Sequence, residues 1–309
     1  MNPEEVAALR AQRYNATVVS LKKVHSDLMV LRVKPDFARP AHRPGQYCTL
    51  GLGNWEPRLD GCQLESLKPE EHNKIIRRAY SISCSIEGET GELYDPGASE
   101  WIEFYIVLVR ENVDGRVPAL TPRLFALREG DRIQIGERIT GHYTLEAVSP
   151  GDTVIFLSTG TGEAPHNYML WELLHGGHTG KILSACCVRY KHDLGYFETH
   201  QRLMGRYSNY KYLGLTTREV GLTRKVYIQD VIQSGELEEQ LETRLDPATT
   251  HVFLCGNPKM IGVPLRNRET GTFTYPQPAG VIEILEARGF RADIPAQKVK
   301  GNLHFEEYW

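Results

Sequence analysis

The sequence predicts two domains in tandem, an antiparallel β-barrel over residues 14–149 followed by an α/β domain with a parallel sheet over residues 150–309. Three observations carry this. The chain has 309 residues, more than one hydrophobic core usually organises. From residue 14 to 148, short β-rich runs are separated by Gly, Pro and Asp turns, with no long helical pattern. From about residue 150, continuous apolar runs alternate with segments of helical periodicity, which calls for a parallel sheet with helices on both faces.

In chain order, "NATVVSLKKV", "LMVLRVKP", "GQYCTLGL", "AYSISCSI", "EFYIVLVRE" and "DRIQIGER" read as strands of the barrel, and "TPRLFAL" as its one short helix. The segment 52–75 breaks that rhythm and reads as a surface insertion. The boundary falls near Ser149–Pro150–Gly151. Beyond it, "DTVIFLSTG" reads as a buried strand, and "APHNYMLWELLHGG" as a helix with a glycine stop. "GKILSACCVRY" is the next strand and "LGYFETHQRLMGRY" the next helix. "YKYLGLTTRE" and "HVFLCGNP" are further strands, and "GVIEILEARGF" is a late helix.

Composition excludes several classes. A net charge of −3 is too small to suggest nucleic-acid binding. No apolar run approaches the length that spans a bilayer. The first twenty residues carry acid early and lack an apolar core, so they do not read as a secretory signal, and the cytoplasm is the expected location. The six cysteines form no CxxC pair, so neither zinc nor an iron–sulfur cluster is indicated and no metal site is expected. Cys186 and Cys187 are adjacent on a strand and should face opposite sides as buried thiols. The tail "HFEEYW" places Tyr308 and Trp309 last, where chains usually fray. Either the tail is tied down on something flat and apolar, or the rings are incidental.

Four stretches carry chemistry. In "RRAYSIS", Arg78 and Tyr80 share one strand face, with Ala79 and Ser81 on the other, so a guanidinium and a phenol can meet a phosphate and a flat ring of one ligand. An exposed sheet face carrying an Arg and a Tyr explains the same residues. "LSTGTGEAPHNY" sets glycines between a buried strand and a helix, where backbone N–H groups and the helix dipole favour anions. It is not G-x-G-x-x-G, and a tight turn accounts for it equally. In "TTREVGLTRKVYIQD", Thr217, Arg218, Lys225, Tyr227 and Gln229 make a candidate monophosphate pocket, or a solvated charged loop. In "FLCGNPKM", Cys255 stands at a strand end before Gly256 and Asn257, where ligands bind in open α/β sheets, although a lone Cys is more often a small core residue.

Together and in this order, Arg-x-Tyr-Ser at 78–81, the "GTGEAP" turn, the Arg-to-Tyr cluster and the Cys-Gly turn resemble the ferredoxin (flavodoxin)–NADP reductase family of flavoproteins. The resemblance covers about residues 14 to 309, apart from the insertion 52–75 and the stretch 262–278. "EFYIVLV…LTPRLFALREGD" and the terminal Tyr-Trp are similar to the bacterial type, whereas "KVYIQ" and "HFEEY" are similar to the plastid type. The resemblance implies an FAD-binding barrel and an NADP(H)-binding α/β domain. Arg78 would hold the FAD pyrophosphate, Tyr80 would lie on the isoalloxazine beside Ala79, and Ser81 would hydrogen-bond flavin N5. Tyr105 and Ala119–Leu120–Thr121 would line the FAD site, and Thr161 would sit where flavin and nicotinamide meet. Arg189, Thr217, Arg218, Lys225 and Tyr227, with Gln229, would hold the adenine ribose and its 2′-phosphate. Cys255 and Glu306 would stand at the nicotinamide, next to Gly256 and Asn257. Tyr308 would stack on the flavin, with Trp309 extending the cover or lying along the adenine end of FAD, unless Trp309 is itself the ring on the flavin.

The implied activity is hydride exchange with NADP(H) and single-electron exchange with ferredoxin or flavodoxin, by a chain expected to be a monomer. Such carriers are acidic, and "RVKPDFARPAHR" and "KIIRR" are the basic segments able to steer them. Two other classes fit less well. A reductase component feeding an oxygenase would need its iron–sulfur cluster on a separate protein, since C-x4-C-x2-C is absent. A non-catalytic flavin-binding or docking subunit would need neither Cys255 nor the phosphate pocket.

Overall fold

The computed structural model describes residues 1–88, 91–111, 115–266, 270–294 and 299–308. The chain forms two compact units, one of residues Met1–Cys84 and Asp95–His142, the other of Ser85–Tyr94 and Tyr143–Trp309.

The first unit is a six-stranded antiparallel sheet. Its strands are β1 (Ala16–His25), β2 (Leu28–Pro35), β3 (Tyr47–Gly53), β4 (Ile75–Ser81), β5 (Ile102–Val107) and β6 (Arg132–Ile135), in the spatial order β4-β3-β6-β1-β2-β5. Alternation in β1 and β2 puts Ala16, Val18, Leu31 and Val33 inside, and all of these are under 2% exposed. β5 is buried along Ile102–Ile106. The sheet curls like a barrel, and among the described residues no ladder closes it. There, one antiparallel bridge, Ser83 to Glu103, links the segment after β4 to β5. The expected strand 79–86 therefore shifts: the ladder runs over Ile75–Ser81, because from Ser85 the chain belongs to the other unit and cannot continue pairing. The "TPRLFAL" helix is one turn, α2 (Thr121–Leu124), which tightens at once into bonds from Ala126 N–H to Arg123 O and Leu127 N–H to Leu124 O.

An N-terminal helix, α1 (Pro3–Arg13), precedes β1 and is capped by Asn2, whose side chain accepts from Glu5 N–H while the Glu5 carboxylate accepts from Asn2 N–H. Leu52 and Gly53 are buried in β3 and Ile75 opens β4, so the irregular stretch is 54–74. It is anchored near its start and at its middle. Glu56, 6% exposed, accepts from Arg10 and from the Tyr14 hydroxyl, and Glu65 accepts from the fully buried Arg123. Burial raises the Tyr14 phenol above its usual range.

The second unit holds a parallel sheet of β7 (Thr153–Thr159), β8 (Ile182–Val188), β9 (Tyr210–Thr216), β10 (Thr250–Gly256) and, after a two-residue hairpin of β11 (Leu265–Arg266) and β12 (Phe273–Thr274), β13 (Leu303–Glu307). The spatial order is β13-β10-β7-β8-β9. Helices α3 (Glu163–His175), α4 (Phe197–Arg206), α5 (Ile228–Ser234), α6 (Glu236–Leu241), α7 (Pro258–Ile261) and α8 (Val281–Glu286) complete the unit. Two apolar cores lie on the two sheet faces. Cys187 packs with Ile155, Leu157 and Leu254 on one, and Cys186 packs with Phe156, Phe253 and Cys255 on the other, as strand alternation requires. Residues 85–94 join this unit through buried Ile86 and through Glu87, which pairs with Arg202 and Arg206. Among the described residues no helix is long and apolar enough to cross a membrane.

Candidate functional site

In the parallel sheet, chain order runs outward in one direction from β7 to β9 and in the other through β10 to β13, so the order reverses between β7 and β10. Ligands of open α/β sheets bind at the carboxyl ends of strands at such a point. Both candidate turns end there. The 160–162 turn follows β7 and leads into α3, and Cys255–Gly256–Asn257 follows β10. The two turns touch. A Cβ on Gly162 would stand 2.2 Å from Cys255 O, and one on Gly256 would stand 2.3 Å from Thr159 Oγ1. Gly256 also has φ +125°, and Asn257 N–H donates to Thr159 Oγ1 at 2.7 Å. Thr161 is half-buried at the lip of this seam.

β13 pairs in parallel with β10, with Glu306 opposite Cys255. The tail is thus tied down by strand pairing. Tyr308 continues the strand, its N–H donating to Gly256 O at 2.9 Å, and its ring packs on the apolar core beneath Cys255. Burial, the Glu306 carboxylate and a hydrogen bond with Tyr308 act on the Cys255 thiol, and the balance raises it well above its usual range, so it stays a neutral thiol at pH 7. Cys255 can hold or orient a ring, but it is not an activated nucleophile. Trp309 lies outside the described residues.

The cationic cluster lies past β8 and β9. Arg189, Arg218, Lys225 and Tyr227 are exposed, and Thr217 is half-buried. Arg218 N–H donates to Arg189 O at 2.8 Å and the Thr217 hydroxyl to Val188 O at 3.1 Å, which joins the two strand ends. Among the described residues, Arg189, Arg218 and Lys225 have no carboxylate partner. Glu219, the acid next to Arg218 in sequence, instead accepts from Lys191 N–H. Lys225, Tyr227 and Gln229 do not alternate along one extended run. Asp230 accepts from Tyr227 N–H and starts α5, so Gln229 lies in the first helical turn, where it donates to Lys259 O at 3.3 Å.

In the first unit, Arg78 and Ala79 are exposed on β4, and Tyr80 is half-buried with its ring edge-on to Phe104 at 6.5 Å. Among the described residues, the Arg78 guanidinium bonds only its neighbour's carbonyl, Arg77 O, at 2.8 Å. Burial raises the Tyr80 phenol, so it remains neutral. Ser81 and Tyr105 are buried at 6% and 4% exposure. Ala119 and Thr121 are half-buried around buried Leu120. Of the basic segments, Lys74, Arg77 and Arg78 are exposed, and Arg13, Lys74, Ile75 and Arg77 line a cleft of about 390 Å³.

Sequence reasoning missed a buried polar system under the 160–162 turn. Glu163, 3% exposed, accepts from the Tyr212 hydroxyl at 3.0 Å and lies 3.2 Å from His200 Nε2, while the Tyr210 hydroxyl meets His200 Nδ1 at 2.8 Å. His166 Nε2 meets the Tyr143 hydroxyl at 2.7 Å, and burial pushes its pKa down to about 3. The only signal was a polar residue within each apolar pattern. Because His166 is neutral in the fold while an unfolded imidazole protonates below about pH 6.5, its contribution is complete above that pH and is lost as pH falls toward 3. Between pH 6.5 and 5 the loss is roughly 2 kcal/mol. Urea midpoints at pH 7.5, 6 and 5 should decline accordingly, and His166→Phe should flatten the decline.

A parallel sheet whose switch point opens on two interlocked glycine turns, with exposed cations past the ends of β8 and β9, has the form of a nucleotide-binding unit. Residues 156–263 match the oxidoreductase NAD-binding domain family. The flavodoxin/ferredoxin–NADP reductases of Shigella flexneri and Escherichia coli (strain K12) are each 34% identical over 235 residues, covering 73% of this chain and 80% of theirs. The fold is similar to that of a ferredoxin NADP+ reductase from Neisseria gonorrhoeae solved with FAD and NADP, with a TM-score of 0.66 at 18% identity, over 95% of this chain and 97% of that one. It is also similar to the ferredoxin–NADP+ reductase of Plasmodium falciparum with 2'P-AMP, with a TM-score of 0.62 at 16% identity over 97% of both chains. The chain belongs to the flavodoxin/ferredoxin–NADP reductase family, and is an oxidoreductase.

Proposed function

We propose that this chain exchanges hydride with NADP(H) through bound FAD and passes single electrons to a ferredoxin or flavodoxin. The observation that carries the NADP(H) reading is the set of exposed cations Arg189, Arg218 and Lys225 past the carboxyl ends of β8 and β9, which have no carboxylate partner among the described residues. A 2′-phosphate is the group only NADPH has, and these donors suit it, whereas an NAD site would place a carboxylate on the ribose hydroxyls. Glu219, the nearby acid, is occupied by a backbone N–H.

The residues of the first unit also fit FAD. Arg78 has guanidinium donors to spare for a pyrophosphate, and Tyr80 offers a neutral ring on the same strand face. FAD, when bound, supplies the hydride-to-one-electron chemistry. Ser81, Tyr105 and Ala119–Thr121 would hold it. Thr161, Cys255 and Glu306 would orient the nicotinamide, with Gly256 and Asn257 shaping the turn around it. A visible spectrum tests the reading: the purified protein should be yellow and bleach on NADPH addition under anaerobic conditions. Cytochrome c reduction with NADPH should rise when a ferredoxin or flavodoxin is added. A colourless protein, or one unaffected by NADPH, would sink it.

Tyr308 lies against Cys255, where the nicotinamide is expected, so ring and ligand would compete for one place. A phenol stacked on a flat ring contributes about 0.5–1.5 kcal/mol beyond its burial, small enough to be displaced. Tyr308→Ser should tighten NADP+ binding severalfold in a difference-spectrum titration and slow turnover. Unchanged binding would return Tyr308 to a structural role.

A further inference from the structure

Two guanidinium groups in the first unit share one carboxylate and hold two consecutive backbone carbonyls. Arg123, 2% exposed, donates from Nη2 to Glu65 Oε2 at 2.6 Å and to Asn54 O at 3.1 Å, and from Nη1 to Ala119 O at 2.7 Å. Arg58 lies 3.4 Å from the same Glu65 oxygen and donates to Pro118 O at 2.9 Å and Gln63 O at 2.9 Å. Leu59 N–H adds a bond to Pro122 O at 2.8 Å. The stretch between β3 and β4 is thereby fastened to the 118–122 segment.

A trans peptide points its C=O and the following N–H in opposite directions. The cis peptide among the described residues is at Gln277–Pro278, so the 118–119 and 119–120 peptides are trans. With Pro118 O and Ala119 O drawn toward the two guanidiniums, the N–H groups of Ala119 and Leu120 point the other way. Neither has an acceptor within the chain among the described residues. Adjacent backbone N–H groups aimed at one side form a concavity for anionic oxygens.

We propose that Glu65 is a positioning residue for the FAD pyrophosphate. Through Arg123 and Arg58 it orients two peptides so that Ala119 and Leu120 present their N–H groups to the diphosphate. The proposal rests on the reading that this segment lines the FAD site. Glu65 touches no reacting atom. Its charge balances a buried guanidinium that would otherwise seek another acceptor and release Ala119 O.

The experiment compares FAD with FMN, which lacks the diphosphate bridge, on the parent, Glu65→Gln, Glu65→Asp and Arg58→Ala, using flavin fluorescence for Kd and circular dichroism for unfolding. Glu65→Gln should weaken FAD tenfold or more while changing FMN less than threefold, and Glu65→Asp should restore part of the loss. Arg58→Ala removes one carbonyl donor but keeps the buried pair, and should shift the same ratio should Glu65→Gln fail to fold. Glu87→Gln, which removes the charge from two ion pairs in the other unit, should lower stability and leave the FAD-to-FMN ratio unchanged. Equal weakening of FAD and FMN, or an unchanged FAD Kd in a folded variant, would overturn the proposal while leaving the flavin reading intact. A parent protein that binds no FAD would overturn both.

Discussion

Arg218→Ala is expected to raise the KM for NADPH tenfold to a hundredfold while leaving the KM for NADH within twofold. The guanidinium is exposed just past the end of β9, where the backbone N–H of Arg218 is fixed on Arg189 O, and it carries no carboxylate partner among the described residues. A charge-assisted hydrogen bond to a 2′-phosphate is worth roughly 1.5–3 kcal/mol. Each 1.4 kcal/mol is a factor of ten, which sets the range. The lost interaction exists in ground and transition states alike, so kcat should change little and the effect should fall on KM. Lys225→Ala should act in the same direction. Steady-state kinetics with both nucleotides checks this, and equal losses for NADPH and NADH would remove Arg218 from the phosphate site.

Gly162→Ala is expected to lower kcat by about a hundredfold and to destabilise the second unit by about 1–3 kcal/mol. The reason is contact, not conformation. Gly162 has φ −59°, which any residue adopts, but its Cβ would stand 2.2 Å from Cys255 O and 2.6 Å from Cys255 C. Those are backbone atoms of a central strand, so the turns must separate and carry Cys255 with them. A displacement near 1 Å at a reacting centre costs about a hundredfold. Gly160→Ala is the control. It has φ +54° and open space around its Cβ, so it should cost about 1–2 kcal/mol of stability with little effect on kcat. Stopped-flow bleaching by NADPH and urea titration separate the two effects, and a Gly162→Ala variant with parental hydride transfer would refute the role given to the seam.

Much of this site was legible because its parts are local. A glycine turn between an apolar strand and an amphipathic helix announces itself by spacing, and the 160–162 turn was read as such. Arg78 and Tyr80 share a face by strand alternation alone. The tail was harder. Two aromatics at a chain end implied an apolar partner, but nothing local says that "LHFEE" pairs with β10, and that strand pairing ties it down. The helical start at Ile228 was missed because Tyr227, its N-cap, looks like one more position in an extended run. Glu65, Arg58 and Arg123 were invisible as a group. Each alone is a charge in a polar loop or beside an apolar run, and only their convergence on one buried point gives them meaning.

The order and kind of the elements follow from the sequence alone. Antiparallel strands precede a parallel α/β pattern, with glycine turns at the strand ends and cations after the third parallel strand, because hydrophobic period and turn chemistry are properties of neighbouring residues. The tertiary structure alone decided which turns meet. Gly162 against Cys255, Glu306 beside Cys255, and Glu65 beneath Ala119 join residues far apart in the chain, and their proximity is set by which strands pair and how closely backbones can approach. That choice rests on the summed packing of two sheet faces and on the space a missing Cβ leaves, neither of which any short stretch of sequence contains.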